Sequence, residues 1–298
     1  MLAIVMSLAV MAQAAPPAAP PVASTAAEPM RRDGKGRPVV VATIDGRPVD
    51  VVIDTAAGST IMRDDAARAL GLVPADGTIG VRGVAGAEEV RLYRVGRFGN
   101  RLFDLRDAEI PGVSSIGATD AQVIAGVDLF EGRRLVFDGV RDEVRVEPSG
   151  PTPAGFVAVR GEYVPGEGLV VPVTLNGVLI RGLIDTGAQG SVAGSDVLRA
   201  IGWEADDSRL APYGQIRGAA GGGSAAQVAT MDSVKIGPAI GRNVRVVFAD
   251  GLGGGEAGDP PTMIVGLDLL AALQVYALDF PRGELHLRKP PSPVAPAR

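Results

Sequence analysis

Two aspartates stand at the same place in two similar stretches: Ile53-Asp54-Thr55-Ala56-Ala57 and Ile184-Asp185-Thr186-Gly187-Ala188. Each follows an apolar run, Val49 to Ile53 and Leu179 to Ile184. A carboxylate at the end of an apolar strand is costly to bury unless it has partners or work to do. Two such acids, one per copy, would meet at a pseudo-twofold axis if the copies associate as duplicated domains usually do. Close carboxylates cannot both ionise easily, so they share a proton and titrate as a pair. The charged member can take a proton from water while the protonated member donates to a carbonyl oxygen. That is sufficient to split an amide.

The composition leaves little other catalytic equipment. The chain of 298 residues has no cysteine and one histidine, His286. Thiol nucleophiles, disulfides and Cys-based zinc sites are excluded. His286 sits in Glu284-Leu285-His286-Leu287, which reads as a strand with a half-exposed imidazole. No metal and no organic cofactor is indicated. The net charge of −5 and the lack of a Lys/Arg run give no support for a nucleic-acid partner.

The elements that must position the two acids are duplicated as well. Val39 to Ile44, Asp45-Gly46 and Val49 to Ile53 read as strand, tight turn, strand. The pattern returns 131 positions later as Val170 to Leu175, Asn176-Gly177 and Leu179 to Ile184. A short helix follows each acid, Asp64 to Leu70 and Asp196 to Ile201, and each ends at a glycine, Gly71 and Gly202. Arg82-Gly83-Val84-Ala85-Gly86 matches Arg217-Gly218-Ala219-Ala220-Gly221. Ala125-Gly126-Val127-Asp128-Leu129 matches Val265-Gly266-Leu267-Asp268-Leu269, and Phe137-Asp138 matches Leu278-Asp279. The offset only grows, to 135, 140 and 141, in steps that fall between elements, as loop insertions would produce. The remainder reads as short alternating strands, so the expected class is mainly β, with two lobes related by a pseudo-twofold and one or two short helices each.

On these residues the chain resembles the retropepsin-like aspartic proteases, in particular bacterial envelope members with a D-T-G-A motif, here with both lobes fused in one chain. The resemblance covers both lobes. It implies that Asp54 and Asp185 are the catalytic pair and that a peptide or protein is the substrate. It implies that Thr55 and Thr186 bond across the lobe interface, and that Gly126 and Gly266 support the catalytic loops from below. It also implies a flap hairpin over the cleft in each lobe, at Gly83, Val84, Ala85 and Gly86, and at Gly218, Ala219, Ala220 and Gly221. No second chain is needed to complete the site, so a monomer is expected. One position departs from the pattern. Ala56 stands where the second copy has Gly187, and its methyl is expected to crowd the loop. An alternative function on the same fold is therefore a weak or inactive peptide-binding module. A paired-carboxylate glycosidase is a distant third, because only 4% of the residues are aromatic.

Other motifs have plainer readings. Asp128 and Asp268 are expected to cap short helices, and Asp138 and Asp279 to be turn residues at strand ends. The run Gly218 to Ser224 lacks a Gly-Lys-Ser/Thr ending and reads as the second flap. Gly251 to Gly258 reads as a surface loop. Tyr93 and Trp203 are expected in core or rim packing.

The divisions expected are a signal peptide (1–14, with Ala12-Gln13-Ala14 as an A-x-A-like cleavage site), a disordered Pro/Ala linker (15–37), a first lobe (38–148), an interlobe linker (149–164), a second lobe (165–289) and a disordered tail (290–298). Export to the periplasm or beyond follows from the signal, with an uncleaved membrane anchor as the alternative.

Overall fold

The computed structural model describes residues 25–83, 86–117, 119–218, 221–249 and 261–289. The expected signal segment, residues 15–24 of the expected linker, the 251–258 loop and the 290–298 tail lie outside the described residues.

The first half begins with β1 (Ala26–Pro29) and β2 (Arg31–Arg32), followed by the hairpin β3 (Pro38–Ile44) and β4 (Arg47–Ile53). After the Asp54 loop come β5 (Ile61–Arg63), α1 (Asp64–Ala69), the long hairpin β6 (Val73–Gly83) and β7 (Gly86–Gly99), and β8 (Asp104–Val113). β9 (Val123–Ala125), β10 (Arg133–Asp138) and β11 (Glu143–Pro148) complete it. The second half repeats the order. β12 (Phe156–Arg160) and β13 (Glu162–Val164) lead into the hairpin β14 (Gly168–Leu175) and β15 (Val178–Ile184). Then follow β16 (Val192–Gly194), α2 (Ser195–Ala200), β17 (Ala211–Gly218), β18 (Gly221–Ile236) and β19 (Ala239–Ala249). β20 (Thr262–Val265), α3 (Leu267–Leu270), β21 (Val275–Asp279) and β22 (Glu284–Arg288) end it.

The topology repeats with the sequence. One eight-stranded sheet runs β2-β3-β4-β9-β5-β8-β7-β6 and the other β13-β14-β15-β20-β16-β19-β18-β17. The tight turns are as expected: Asp45 and Gly46 have φ of 47° and 81°, and Asn176 and Gly177 have 47° and 87°. Positive φ at both central positions matches the twist of the flanking strands. Gly71 and Gly202 end α1 and α2 with φ of 65° and 77°. The fold is mainly β with few short helices, as the alternating pattern predicts.

A third sheet joins the halves: β1-β11-β10-β21-β22-β12. Its centre is the antiparallel pair β10–β21, where Phe137 opposes Tyr276 and the two rings stack at 5.1 Å. The strand pairings correct two expectations. Residues 26–29, inside the expected disordered linker, form β1 on β11, and residues 156–164, inside the expected interlobe linker, form β12 on β22 and β13 on β14. β1 and β12 are equivalent edge strands of the duplication. Ala26-Ala27-Glu28-Pro29 carries no alternating apolar pattern because an edge strand needs little side-chain burial, and its proline at the end costs no ladder bond.

The same sheet explains His286. It lies in a strand, as expected, but is fully buried rather than half-exposed, because β12 and β21 flank β22 on both sides. Its Nε2 lies 3.0 Å from Glu284 Oε2. Tyr93 and Trp203 are buried, with the Arg209 guanidinium 3.8 Å from the Trp203 ring centroid.

Candidate functional site

Each aspartate leaves a strand that is hydrogen-bonded in parallel to a second apolar strand, β4 to β9 and β15 to β20. This fixes the start of the loop: Asp54 N–H donates to Ala125 O and Asp185 N–H to Val265 O, both at 3.0 Å. The chain then turns back over its own carboxylate. Ala56 and Ala57 N–H both donate to Asp54 Oδ1 at 3.0 Å. Gly187 and Ala188 N–H donate to Asp185 Oδ1 at 2.7 and 2.9 Å. Each acid is thereby locked by its own loop.

The loops lock each other through the threonines. Thr55 Oγ1 donates to Ile184 O at 2.7 Å and accepts from Thr186 N–H at 3.2 Å. Thr186 Oγ1 donates to Ile53 O at 2.7 Å and accepts from Thr55 N–H at 3.2 Å. Both side chains are buried. Valine at either position would strand a buried carbonyl and a buried N–H on the opposite lobe. Thr55→Val or Thr186→Val is expected to destabilise the fold by about 2–6 kcal/mol, counting ~1–3 for each stranded group. A urea midpoint unchanged from wild type would refute that account.

The threonine lock brings the Asp54 carboxyl against the second loop, where a Cβ on Gly187 would lie 2.2 Å from its Oδ2, so that the two acids act on each other. They are half-buried at the junction of the lobes. Burial pushes both up from the ordinary carboxylate range. Asp185 is raised further by the negative charge of Asp54, while the loop N–H groups act against the rise on both. The pair therefore holds one proton into a pH range where isolated aspartates have lost theirs.

Gly126 and Gly266 lie close against the loops. A Cβ on Gly126 would lie 2.6 Å from Ala57 O, and one on Gly266 would lie 2.6 Å from Gly190 O. Val127 and Leu267 N–H donate to Ala57 O and Ala188 O at 2.8 and 2.9 Å. Asp128 and Asp268 differ from expectation. They stand second in the short helices Val127–Leu129 and Leu267–Leu270, give no cap bond, and reach back under the loops. Asp128 accepts from Thr60 Oγ1 at 2.9 Å and Thr60 N–H at 3.0 Å, and Asp268 accepts from Ser191 Oγ at 2.6 Å. Those hydroxyls in turn accept from Gly126 and Gly266 N–H at 3.2 and 3.0 Å. Thr60 and Ser191, both buried, were not singled out from the sequence. They stand 131 positions apart, so the repeat itself carried the signal.

Asp138 is a turn residue, accepting from Val140 and Arg141 N–H at 3.1 Å. Asp279 is not. It accepts from Ser149 Oγ at 2.6 Å and Gly150 N–H at 3.2 Å, tying β21 to the connection between lobes.

The structure gives the Ala56 methyl room. Ala56 packs in a small apolar cluster with Val170 and Leu183 of the other half. Gly187 has no such space: a Cβ there would lie 2.2 Å from Asp54 Oδ2. The expected crowding thus belongs to the second loop, where the residue is glycine.

Gly83 pairs with Gly86 and Gly218 with Gly221, each pair at the end of a long hairpin. Val84, Ala85, Ala219 and Ala220 lie outside the described residues. The hairpin stems join the site through apolar clusters: Val81 and Val90 share one with Ala57, and Ile216 and Ala188 both pack on the cluster of Ala226, Ala249 and Ile264. Among the described residues no group of three or more His, Asp or Glu is arranged to hold a metal ion.

A family model for aspartyl proteases matches residues 40–126 and 171–269, each match running from the first hairpin past the catalytic loop to the supporting glycine or the helix after it. The chain belongs to the aspartyl protease family. No curated protein matches it. The two family matches begin 131 positions apart, so the family's unit is present twice in one chain, in keeping with an active site formed within a single chain.

The charges around the site and the interlobe sheet set a pH dependence of stability. The dyad's folded values are raised, so its contribution is complete below 3.8, the ordinary aspartate value, and is lost as pH rises through the folded values. Glu284 is depressed to about 2, first by its bonds from Arg282 and then by those from His286. Asp33 is held down by the Arg37 and Lys35 N–H groups and the Arg37 guanidinium, which together outweigh its burial. The Glu284 contribution is present above its ordinary value and lost as pH falls toward about 2, and that of Asp33 is likewise lost as pH falls. Maximum thermal stability is expected near pH 4–5, and a melting temperature that rises steadily from pH 4 to 7 would contradict this.

Proposed function

We propose that the chain is an aspartic endopeptidase of the retropepsin-like type, in which Asp54 and Asp185 activate a water molecule between the lobes. One observation carries the reading: two half-buried acids from duplicated loops, each held by two backbone N–H groups, are brought together at a junction locked by paired threonines. One carboxylate takes a proton from water as the water oxygen bonds to the peptide carbonyl carbon. The proton of the other acid passes to the carbonyl oxygen, giving a tetrahedral diol. The C–N bond then breaks. The nitrogen leaves with the proton taken from water, and the second acid recovers its proton from a diol hydroxyl.

In this reading an extended peptide lies between the two lobes, beside the hairpin stems whose Val81, Val90 and Ile216 belong to the apolar clusters of the loops. The apolar stretch and A-x-A-like site at the N-terminus support action in the periplasm or outside the cell. The case for a binding-only module rested on Ala56, whose methyl is accommodated.

The test is incubation of the full chain with a diverse peptide mixture across roughly pH 3–7, the span over which such dyads change protonation, with products read by mass spectrometry. Cleavage by wild type and none by Asp185→Asn is the expected result. Equal cleavage by both, or none by folded wild type at any pH, would refute the reading.

A further inference from the structure

The two halves of the site are not electrically equal. In the hairpin β3–β4 Val39 opposes Val52, and in β14–β15 Val170 opposes Leu183. Arg37 directly precedes β3 and Asp54 directly follows β4, so both lie at the open end of this hairpin. Gly168 and Asp185, each 131 positions on, hold the equivalent places at the open end of β14–β15. The first acid thus has a cation at its end of the hairpin where the second has a glycine.

Arg37 is buried and held in place. Its Nε and Nη2 each lie 2.8 Å from Asp33 Oδ2, and its own N–H donates to Asp33 Oδ1 at 3.0 Å. Thr119 Oγ1 donates to Asp33 Oδ2 at 3.1 Å. The neighbours Gly36 and Pro38 line a cavity of about 460 Å³ together with Gln189 and Leu267, just beyond the second catalytic loop. This segment therefore lies at the lobe junction, where a fixed charge acts on the dyad with little screening.

We propose that Arg37, clamped by Asp33, orders the dyad, so that Asp54 carries the charge and acts as the base while Asp185 keeps the proton and acts as the acid. This rests on the dyad reading above. The charged groups around the pair agree with it. Arg37 favours the ionised form of Asp54, whereas Asp185 is raised by burial and by Asp54. Asp33 faces Arg37 from the N-terminal turn and partly offsets it. Asp128 and Asp268, from the supporting helices, are bonded to Thr60 and Ser191. Arg37 is a positioning residue, acting on the reaction through Asp54.

The test is a carboxyl ¹³C NMR titration of aspartate-labelled full chain, with the pH profile of peptide cleavage measured in parallel. In wild type Asp54 is expected to ionise first. In Arg37→Met both dyad steps, and both limbs of the kcat/KM profile, are expected to move up by about one pH unit, within the range for losing a nearby opposite charge. In Asp33→Asn, which leaves the Arg37 charge unopposed, both are expected to move down. Arg37→Lys should keep the wild-type limbs even if the rate falls. A merely structural role would not give shifts of opposite sign.

Asp185 ionising first in wild type overturns the proposal whether or not the variants fold. So do unchanged titrations in Arg37→Met, or shifts in the same direction for Arg37→Met and Asp33→Asn. If ordered titration is seen without cleavage, the proteolytic reading fails and the charge assignment stands. If cleavage is seen with unchanged limbs in Arg37→Met, the reverse holds.

Discussion

Asp54→Asn and Asp185→Asn are each expected to lower kcat/KM by at least about 10²–10⁴-fold, the share that positioned acid–base groups supply. Neither variant should lose its fold. Asparagine retains an oxygen that can accept the two loop N–H groups now bonded to Oδ1 of each aspartate. Each should instead be more stable than wild type at neutral pH. The raised dyad costs stability there, and removing one ionisable carboxyl relieves the burial and the mutual repulsion that raise it. Loss of activity with an equal or higher melting temperature at pH 7 is the signature of a site that trades stability for function. A variant that is inactive because it is unfolded would not count, and a double variant no worse than either single one is expected of groups that act as a unit. Activity within tenfold of wild type in both single variants would remove the dyad from the mechanism.

Gly187→Ala is expected to be nearly as damaging, although alanine occupies the equivalent position 56. The added methyl would lie 2.2 Å from Asp54 Oδ2 and 2.4 Å from its Cγ. No real contact is that short, so either the loop or the carboxyl must shift. A misplacement of about 1 Å at reacting groups costs about 10²-fold in rate, and overpacking costs about 1–3 kcal/mol of stability. The reciprocal change, Ala56→Gly, should do far less. It removes a methyl packed on Val170 and Leu183 and frees the backbone, a loss of about 1 kcal/mol with kcat within a few-fold of wild type. Steady-state kinetics and thermal melts on the pair of variants decide the matter. If Ala56→Gly raised kcat tenfold or more, the methyl would be impairing catalysis and the packing account would be wrong.

The sequence made most of this legible because the chain states its unit twice. Asp54 and Asp185, Thr55 and Thr186, Gly126 and Gly266, and both hairpin turns could be located by comparing one half with the other. What it hid falls into two kinds. Strands β1, β12 and β13 are edge strands, with little alternation to betray them. β1 also sits in a stretch whose alanines and prolines suggest a tether. The second kind is contact between residues far apart in the chain. That Asp128 supports Thr60 rather than capping a helix, that Asp279 ties down Ser149, and that the Ala56 methyl meets Val170 all depend on how the lobes pack. The asymmetry at Arg37 and Gly168 was visible at the repeat offset, but only the strand register gives it meaning.

The six-stranded sheet through β10 and β21 has a consequence for concentration. A site assembled from two separate chains weakens on dilution, because its halves drift apart at low concentration. Here the partner half is tethered, so its local concentration is fixed by the connection and not by the amount of protein present. The proposed activity per molecule should therefore be the same at picomolar as at micromolar concentration.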